Sequence, residues 1–132
     1  MSGETDLSIL LKNMTPLLHD GDYVFCMITT LTNIDINEII ASFKETEGIT
    51  IILKKETADK LKLDYSYIAA WITLTVHSSL EATGLTAAFA TALANEGISC
   101  NVVAAYYHDH IFVAKNDAER AMAALEGLAG KV

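Results

Sequence analysis

The order of elements in the second half of the chain restricts its fold more than any other feature. IAAWITLTV (Ile68–Val76) is rich in β-branched residues and predicts a strand. Leu85–Glu96 places Leu85, Ala88, Phe89, Ala92 and Leu93 on one helical face, and Gly97 stops that helix. ISCNVVAAYY (Ile98–Tyr107) predicts a long strand, His108-Asp109-His110 a tight connection, and IFVAK a returning strand. Asp117 is placed to cap a last helix with Ala118, Ala121, Met122, Leu125 and Leu128 inward. Strand, helix, strand, strand, helix is a ferredoxin-like β-α-β-β-α-β unit short of its final strand. No strand follows Gly130, so Tyr23–Thr29 or Ile49–Lys54 is expected to supply it. Left unfilled, that edge would invite aggregation.

The first half has weaker signals. Asp6 can cap a helix whose Leu7, Leu10, Leu11 and Met14 share a face, HDGD (19–22) is a turn, and YVFCMIT is a strand from Tyr23. Asp35 can cap a second helix, because Ile36, Ile39, Ile40 and Phe43 recur at helical spacing and Gly48 ends the run. Ile49–Lys54 predicts a strand, and ETADKLKL a helical turn or two. The expected fold is therefore α+β: two ferredoxin-like units in tandem, 1–64 and 65–132, that share strands. Each is expected to carry an antiparallel sheet with helices on one face.

Charge and composition narrow the function classes. At 132 residues with 52 % hydrophobic and 20 % charged side chains, the chain can build a core and is not disordered. The net charge is −8, and the acidity is spread, with 11 acids against 6 bases in 1–64 and 6 against 3 in 65–132. Nucleic acid is not an expected partner, because phosphate binding rests on Lys and Arg patches. The one basic cluster (Lys54, Lys55, Lys60, Lys62) is interleaved by Glu56, Asp59 and Asp64 and reads as a solvated face. Tyr65, Tyr67, Trp71, Tyr106 and Tyr107 lack the basic companions of base-stacking platforms, so packing is the expected role of these rings. No apolar run is long enough to span a membrane, and MSGETDLSILL carries acids where a signal peptide needs positive charge. Cys26 and Cys100 lack CxxC spacing and are expected to be reduced and buried. Cytoplasm is the expected location.

Motifs for chemistry are sparse. There is no GxSxG, no P-loop and no GxGxxG after a strand, and no cofactor is expected. His108-Asp109-His110 could offer two imidazoles to a metal, but no third ligand is placed by spacing, so no metal is expected. His77 ends a strand just before a polar loop, where a structural hydrogen-bonding role competes with a functional one. His19 stands beside a turn with no chemical companion. In HSSLEATGLTAAF (His77–Phe89), Ser78 and Glu81 have capping-box spacing, and Gly84 lets backbone N–H groups approach a ligand. A helix start with unpaired N–H groups suits a carboxylate, and Asn101 can accept from an ammonium and donate to a carboxylate. Together they could hold a zwitterion; an ordinary well-capped helix start fits the same residues.

TGLTAAFATALANEGISCNVV (Thr83–Val103) resembles the glycine loop, helix and second strand of ACT domains, above all those of aspartate kinases, where a small-residue-rich helix runs into a G-I-S-x-D/N segment. More broadly, LLKNMTPLLHDGDYVF, WITLTVHSSLEATGLTAAFA and NVVAAYYHDHIFV resemble a family of small stand-alone bacterial tandem-ACT proteins. The resemblance implies an effector held between two ACT units by the glycine loop and the start of the second strand. It carries Gly84 and Leu85 over as loop contacts and Ser99, Cys100 and Asn101 as strand contacts, with His77 and Ser79 in the loop beside them. The loop from His77 to Thr83 looks longer than usual, and Asn101 stands where aspartate is common.

What the resemblance implies is a non-enzymatic, cytoplasmic regulatory protein that binds a small molecule, expected to be an amino acid, and pairs as a homodimer or higher homo-oligomer. The alternatives are an interaction module without a ligand and a metal protein using the His108–His110 turn.

Overall fold

A computed structural model describes residues 6–75 and 84–130. Along the chain it contains α1 (Leu7–Asn13), β1 (Pro16–Leu18), β2 (Tyr23–Ile28), β3 (Ile39–Lys44), β4 (Ile49–Lys54), α2 (Lys55–Lys60), β5 (Ile68–Leu74), α3 (Leu85–Asn95), β6 (Asn101–Ala104), β7 (Asp109–Ala114) and α4 (Ala118–Leu128). Two compact units result. A larger one joins the residues up to His19 to those from Ala70 onward, and a smaller one is Asp20–Ala69. The larger unit is thus built from two separate stretches of the chain. Residues 6–19 belong with the second half because β1 pairs with β5 and because Leu10 and Met14 are buried in its core, with Leu7 and Leu11 packed against it.

In the larger unit β1 pairs antiparallel with β5 (Pro16 with Leu74, Leu18 with Ile72), and β7 lies between β5 and β6. This is the ferredoxin-like strand order with its closing strand taken from the N-terminus. That strand is β1, not Tyr23–Thr29 or Ile49–Lys54, both of which pair within the smaller unit. Three residues beginning with the chain's lone proline give little strand signal. A proline is nevertheless at home as the first residue of a strand, where the missing N–H costs no ladder bond. Strand alternation sends Ala70, Ile72 and Leu74 of β5 and Ile111 and Val113 of β7 into one core with Leu10, Met14, Leu85, Phe89, Leu93, Ala121 and Leu125 of the helical layer. Trp71, Thr73, His110 and Phe112 take the alternate positions.

Local signals explain most of the helix ends. Asp6 accepts hydrogen bonds from the N–H groups of Ser8 (3.0 Å) and Ile9 (3.3 Å), capping α1 as its sequence predicts. At the end of α3, Gly97 adopts φ 72°, its N–H reaches the Ala94 carbonyl (2.9 Å), and the Ile98 N–H reaches that of Leu93 (3.0 Å). That pairing is a Schellman closure, and its hydrophobic partners Leu93 and Ile98 are both buried. Ile98 is thus spent on closing the helix, which is why β6 starts at Asn101 and not at Ile98. It also stops at Ala104, because Ala105–His108 form the hairpin turn, closed by Ala105 N–H to the His108 carbonyl at 3.0 Å. Asp109 and His110 are the first residues of β7 and not the connection. Asp117 stands at the start of α4 but accepts from the Arg120 guanidinium (2.9 Å) in place of a backbone N–H.

In the smaller unit the order is β3, β4, β2, then Ile68 and Ala69 of β5, which pair with Val24 and Tyr23. Strand β5 thus serves both units along its length. Val24, Cys26, Ile51, Leu53 and Ala58 form the core. The helix expected between its Asp35 cap and Gly48 is not formed. Asp35 does accept from the Asn37 N–H (2.9 Å), but only a single 3-10 turn (Ile36–Glu38) follows before β3. Isoleucines at 36, 39 and 40 fit a helical face by spacing, yet their β-branched side chains favour a strand once β4 offers a partner. Phe43, placed inward by the helical reading, is 71 % exposed.

Candidate ligand-binding site

Gly84 is the N-cap of α3 and has φ +91°, a conformation that disfavours a side chain. A Cβ there would lie 3.1 Å from a methyl group of Leu7. The Ala88 N–H bonds the Gly84 carbonyl at 2.9 Å, closing the first turn. By helix geometry the N–H groups just after Gly84 have no intrahelical acceptor, and the dipole gives that end a partial positive charge. Leu85 is only 3 % exposed, so it offers a ligand its backbone and gives its side chain to the core.

Ser99 and Asn101 are exposed, and Cys100 is half-buried between them. Burial pushes the Cys100 thiol up to about 11, so it stays protonated at neutral pH and is no nucleophile. Asn101 pairs with Phe112 across the hairpin, and its Nδ2 donates to the Phe112 carbonyl at 3.3 Å. That bond orients the amide. The amide oxygen is the chemically suitable acceptor for an ammonium group. His77 and Ser79 lie outside the described residues.

The structure does not bring Gly84 and Asn101 of one unit together. Eleven residues of α3 lie between them, and at about 1.5 Å per residue that is roughly 16 Å of helix axis. The two halves of the expected site stand at opposite ends of the helix.

A second constellation was not legible in the sequence. His19 Nε2 lies 2.7 Å from Thr73 Oγ1, which lies 3.0 Å from His110 Nδ1; Trp71 Nε1 donates to the same Nδ1 at 3.1 Å. The His19 ring stacks on Trp71 with centroids 3.6 Å apart and an interplanar angle of 13°. Burial lowers the pKa of both imidazoles, and for His110 the nearby His108 and His19 add to the effect. His110 is thus committed to Trp71 and Thr73. Among the described residues no group of three or more His, Cys, Asp or Glu is placed to hold a metal. Asp109 is buried, which raises its pKa against the opposing effect of His108.

The smaller unit has an open groove of about 370 Å³ lined by Asp20, Gly21, Asp22, Lys54, Lys55, Glu56 and Asp59. There Lys55 Nζ lies 3.0 Å from Asp59, which also accepts from the Tyr65 hydroxyl at 2.6 Å. These groups satisfy one another at the surface, as the interleaved charges of the sequence suggest.

Models of the ACT domain match residues 2–70 and 66–127. The chain belongs to the ACT domain family. It is 51 % identical to a Vibrio cholerae protein of unknown function named as a possible transport protein, over 93 % of this chain and 95 % of that one, with a TM-score of 0.83. The ligand-free regulatory subunit of aspartate kinase from Thermus thermophilus shares the fold at 10 % identity, over 89 % of this chain and 97 % of that one, with a TM-score of 0.65. E. coli aspartokinase III, solved with aspartate and ADP, does so at 11 % identity, over 88 % of this chain but 34 % of that one, with a TM-score of 0.62. Among curated proteins none matches the sequence. The chain is thus a tandem ACT protein with the architecture of aspartate kinase regulatory domains. Among the described residues no helix is long and apolar enough to cross a membrane.

Proposed function

We propose that this ACT protein is a cytoplasmic, non-enzymatic regulator that binds an amino acid at an interface between two copies of the chain. The observation that carries the reading is the placement of Gly84 and Asn101 at opposite ends of α3. An amino acid is too short to reach both within one unit. When two copies meet as an antiparallel pair, the helix start of one faces the strand start of the other. Gly84 and Leu85 then offer backbone N–H groups to the carboxylate, with His77 and Ser79 in the preceding loop. Ser99, Cys100 and Asn101 of the other copy take the ammonium end. Two equivalent sites per homodimer follow from the symmetry. The substitution of Asn101 for a carboxylate replaces a charged grip on the ammonium with a neutral hydrogen bond.

A thermal-shift screen of the proteinogenic amino acids, run beside analytical ultracentrifugation, tests this. The expected result is a rise in melting temperature with one or a few of them, on a dimer. A folded protein that responds to none would overturn the reading and favour an interaction module.

A further inference from the structure

We propose that the chain of contacts His19–Thr73–His110–Trp71 is an acid-sensitive latch on the sheet of the larger unit, closed while His110 is neutral and opened by its protonation. It is independent of the ligand-binding reading. The indole N–H of Trp71 can only donate, so the His110 Nδ1 that it meets at 3.1 Å must be an acceptor without a hydrogen. The Thr73 hydroxyl lies 3.0 Å from the same nitrogen and therefore donates to it. Its oxygen then accepts from His19 Nε2–H at 2.7 Å. One donor-only group fixes every proton from His19 to His110, and the remaining proton of neutral His110 sits on Nε2.

A further proton on His110 has one place to go, Nδ1, where two donors already converge. The Thr73 hydroxyl can turn and become an acceptor. The indole N–H cannot, so two N–H groups are set face to face at 3.1 Å and the Trp71 contact breaks. Three strands meet in this cluster: β1 continues into His19, β5 carries Trp71 and Thr73, and β7 carries His110. His19 responds differently. Its second proton goes on Nδ1, away from Thr73, and as a cation stacked on an indole it is attracted and not expelled. His110 is the sensor.

The groups facing His110 support the direction. His19 approaches from β1 and His108 from its own hairpin; β5 presents uncharged Trp71 and Thr73, and β6 presents Val103 directly opposite. Among the described residues no carboxylate influences His110, and Asp109 takes the alternate position on β7. Burial first, then the two other imidazoles, hold His110 below the ordinary 6.5, so the latch is shut at neutral pH and opens as pH falls below that value.

The chain has a single tryptophan, Trp71, so its emission reads the latch in the full-length protein. On titration from about pH 8 to about pH 4.5, the wild type should show an emission change of midpoint below 6.5. His19→Gln, which keeps the N–H toward Thr73, should retain that change. Built on His19→Gln, so that no stacked imidazole titrates beside the indole, His110→Asn, whose amide oxygen accepts from Trp71 but does not titrate in this range, should lose it. An unaltered transition in that double variant, or no transition in the wild type, overturns the latch. Long-range 1H–15N NMR on the unmodified protein provides a test free of folding effects. At neutral pH His110 should carry its proton on Nε2, and a proton on Nδ1 overturns the proposal.

Discussion

The two ACT units differ most in the segment after their first strand. In the larger unit β5 is followed by an eleven-residue helix that starts at Gly84; in the smaller one β2 is followed by a single 3-10 turn, Ile36–Glu38. A three-residue turn has no developed dipole and no row of N–H donors, so it cannot offer an anion what α3 offers. Among the described residues only the larger unit therefore places a full helix directly after such a strand, and the proposed site draws its second element from another copy.

The cores differ in the same direction. Among the described residues the larger unit buries fifteen apolar residues in one cluster, against five in the smaller. Phe89 is fully buried among α3, α1 and the sheet, and Phe89→Ala should cost about 3–5 kcal/mol of unfolding free energy. Leu53→Ala, in the thinner core, has more surface nearby to collapse onto and should fall near the lower end of the roughly 2–5 kcal/mol range for such truncations. Denaturant unfolding followed by circular dichroism and Trp71 emission compares them. A larger loss for Leu53→Ala would reverse the assigned order of the two cores.

A backbone test sharpens the contrast between two glycines of the same helix. Gly84 combines φ +91° with a Leu7 methyl 3.1 Å from any added Cβ, whereas Gly97 has φ +72° and open space. Gly84→Ala should cost about 1–3 kcal/mol, since both strain and a contact oppose it. Gly97→Ala, with strain alone, should cost about 1 kcal/mol. Thermal unfolding of the two variants gives the ranking directly, and equal losses would mean that Leu7 yields freely to the added methyl.

Legibility followed the length and periodicity of the elements. α3, β7 and α4 were visible because apolar residues recur over several turns, or because turn residues bound them. β1 was not, since three residues cannot establish a period and a proline argues against a strand. Ile36, Ile39, Ile40 and Phe43 satisfied the helical spacing while belonging to a turn and a strand, because pairing with β4 decides between two patterns that four residues cannot separate. Gly84 could be read as a close-approach glycine from its place before a helix. The latch could not be read at all: His19 and Thr73 are 54 residues apart, and only the β1–β5 pairing brings them together. The wide separation of Gly84 and Asn101 was equally hidden, because it depends on α3 running its full length between them.

The smallest expected effect on stability is the most informative about function. Asn101 is exposed, and the structure gives its side chain one bond, a 3.3 Å contact from Nδ2 to the Phe112 carbonyl on the neighbouring strand. Asn101→Ala should therefore cost no more than about 1 kcal/mol in unfolding free energy. Its effect on an amino-acid ligand should be larger, because the ammonium loses its amide acceptor while the helix start at Gly84 is untouched. Calorimetry on this variant should show weakened affinity with an unchanged dimer. Asn101→Asp adds the charge that suits an ammonium and should tighten binding. If affinity is the same in all three proteins, Asn101 lies outside the site; if Asn101→Ala unfolds the chain, its bond to β7 matters more than the exposed position implies.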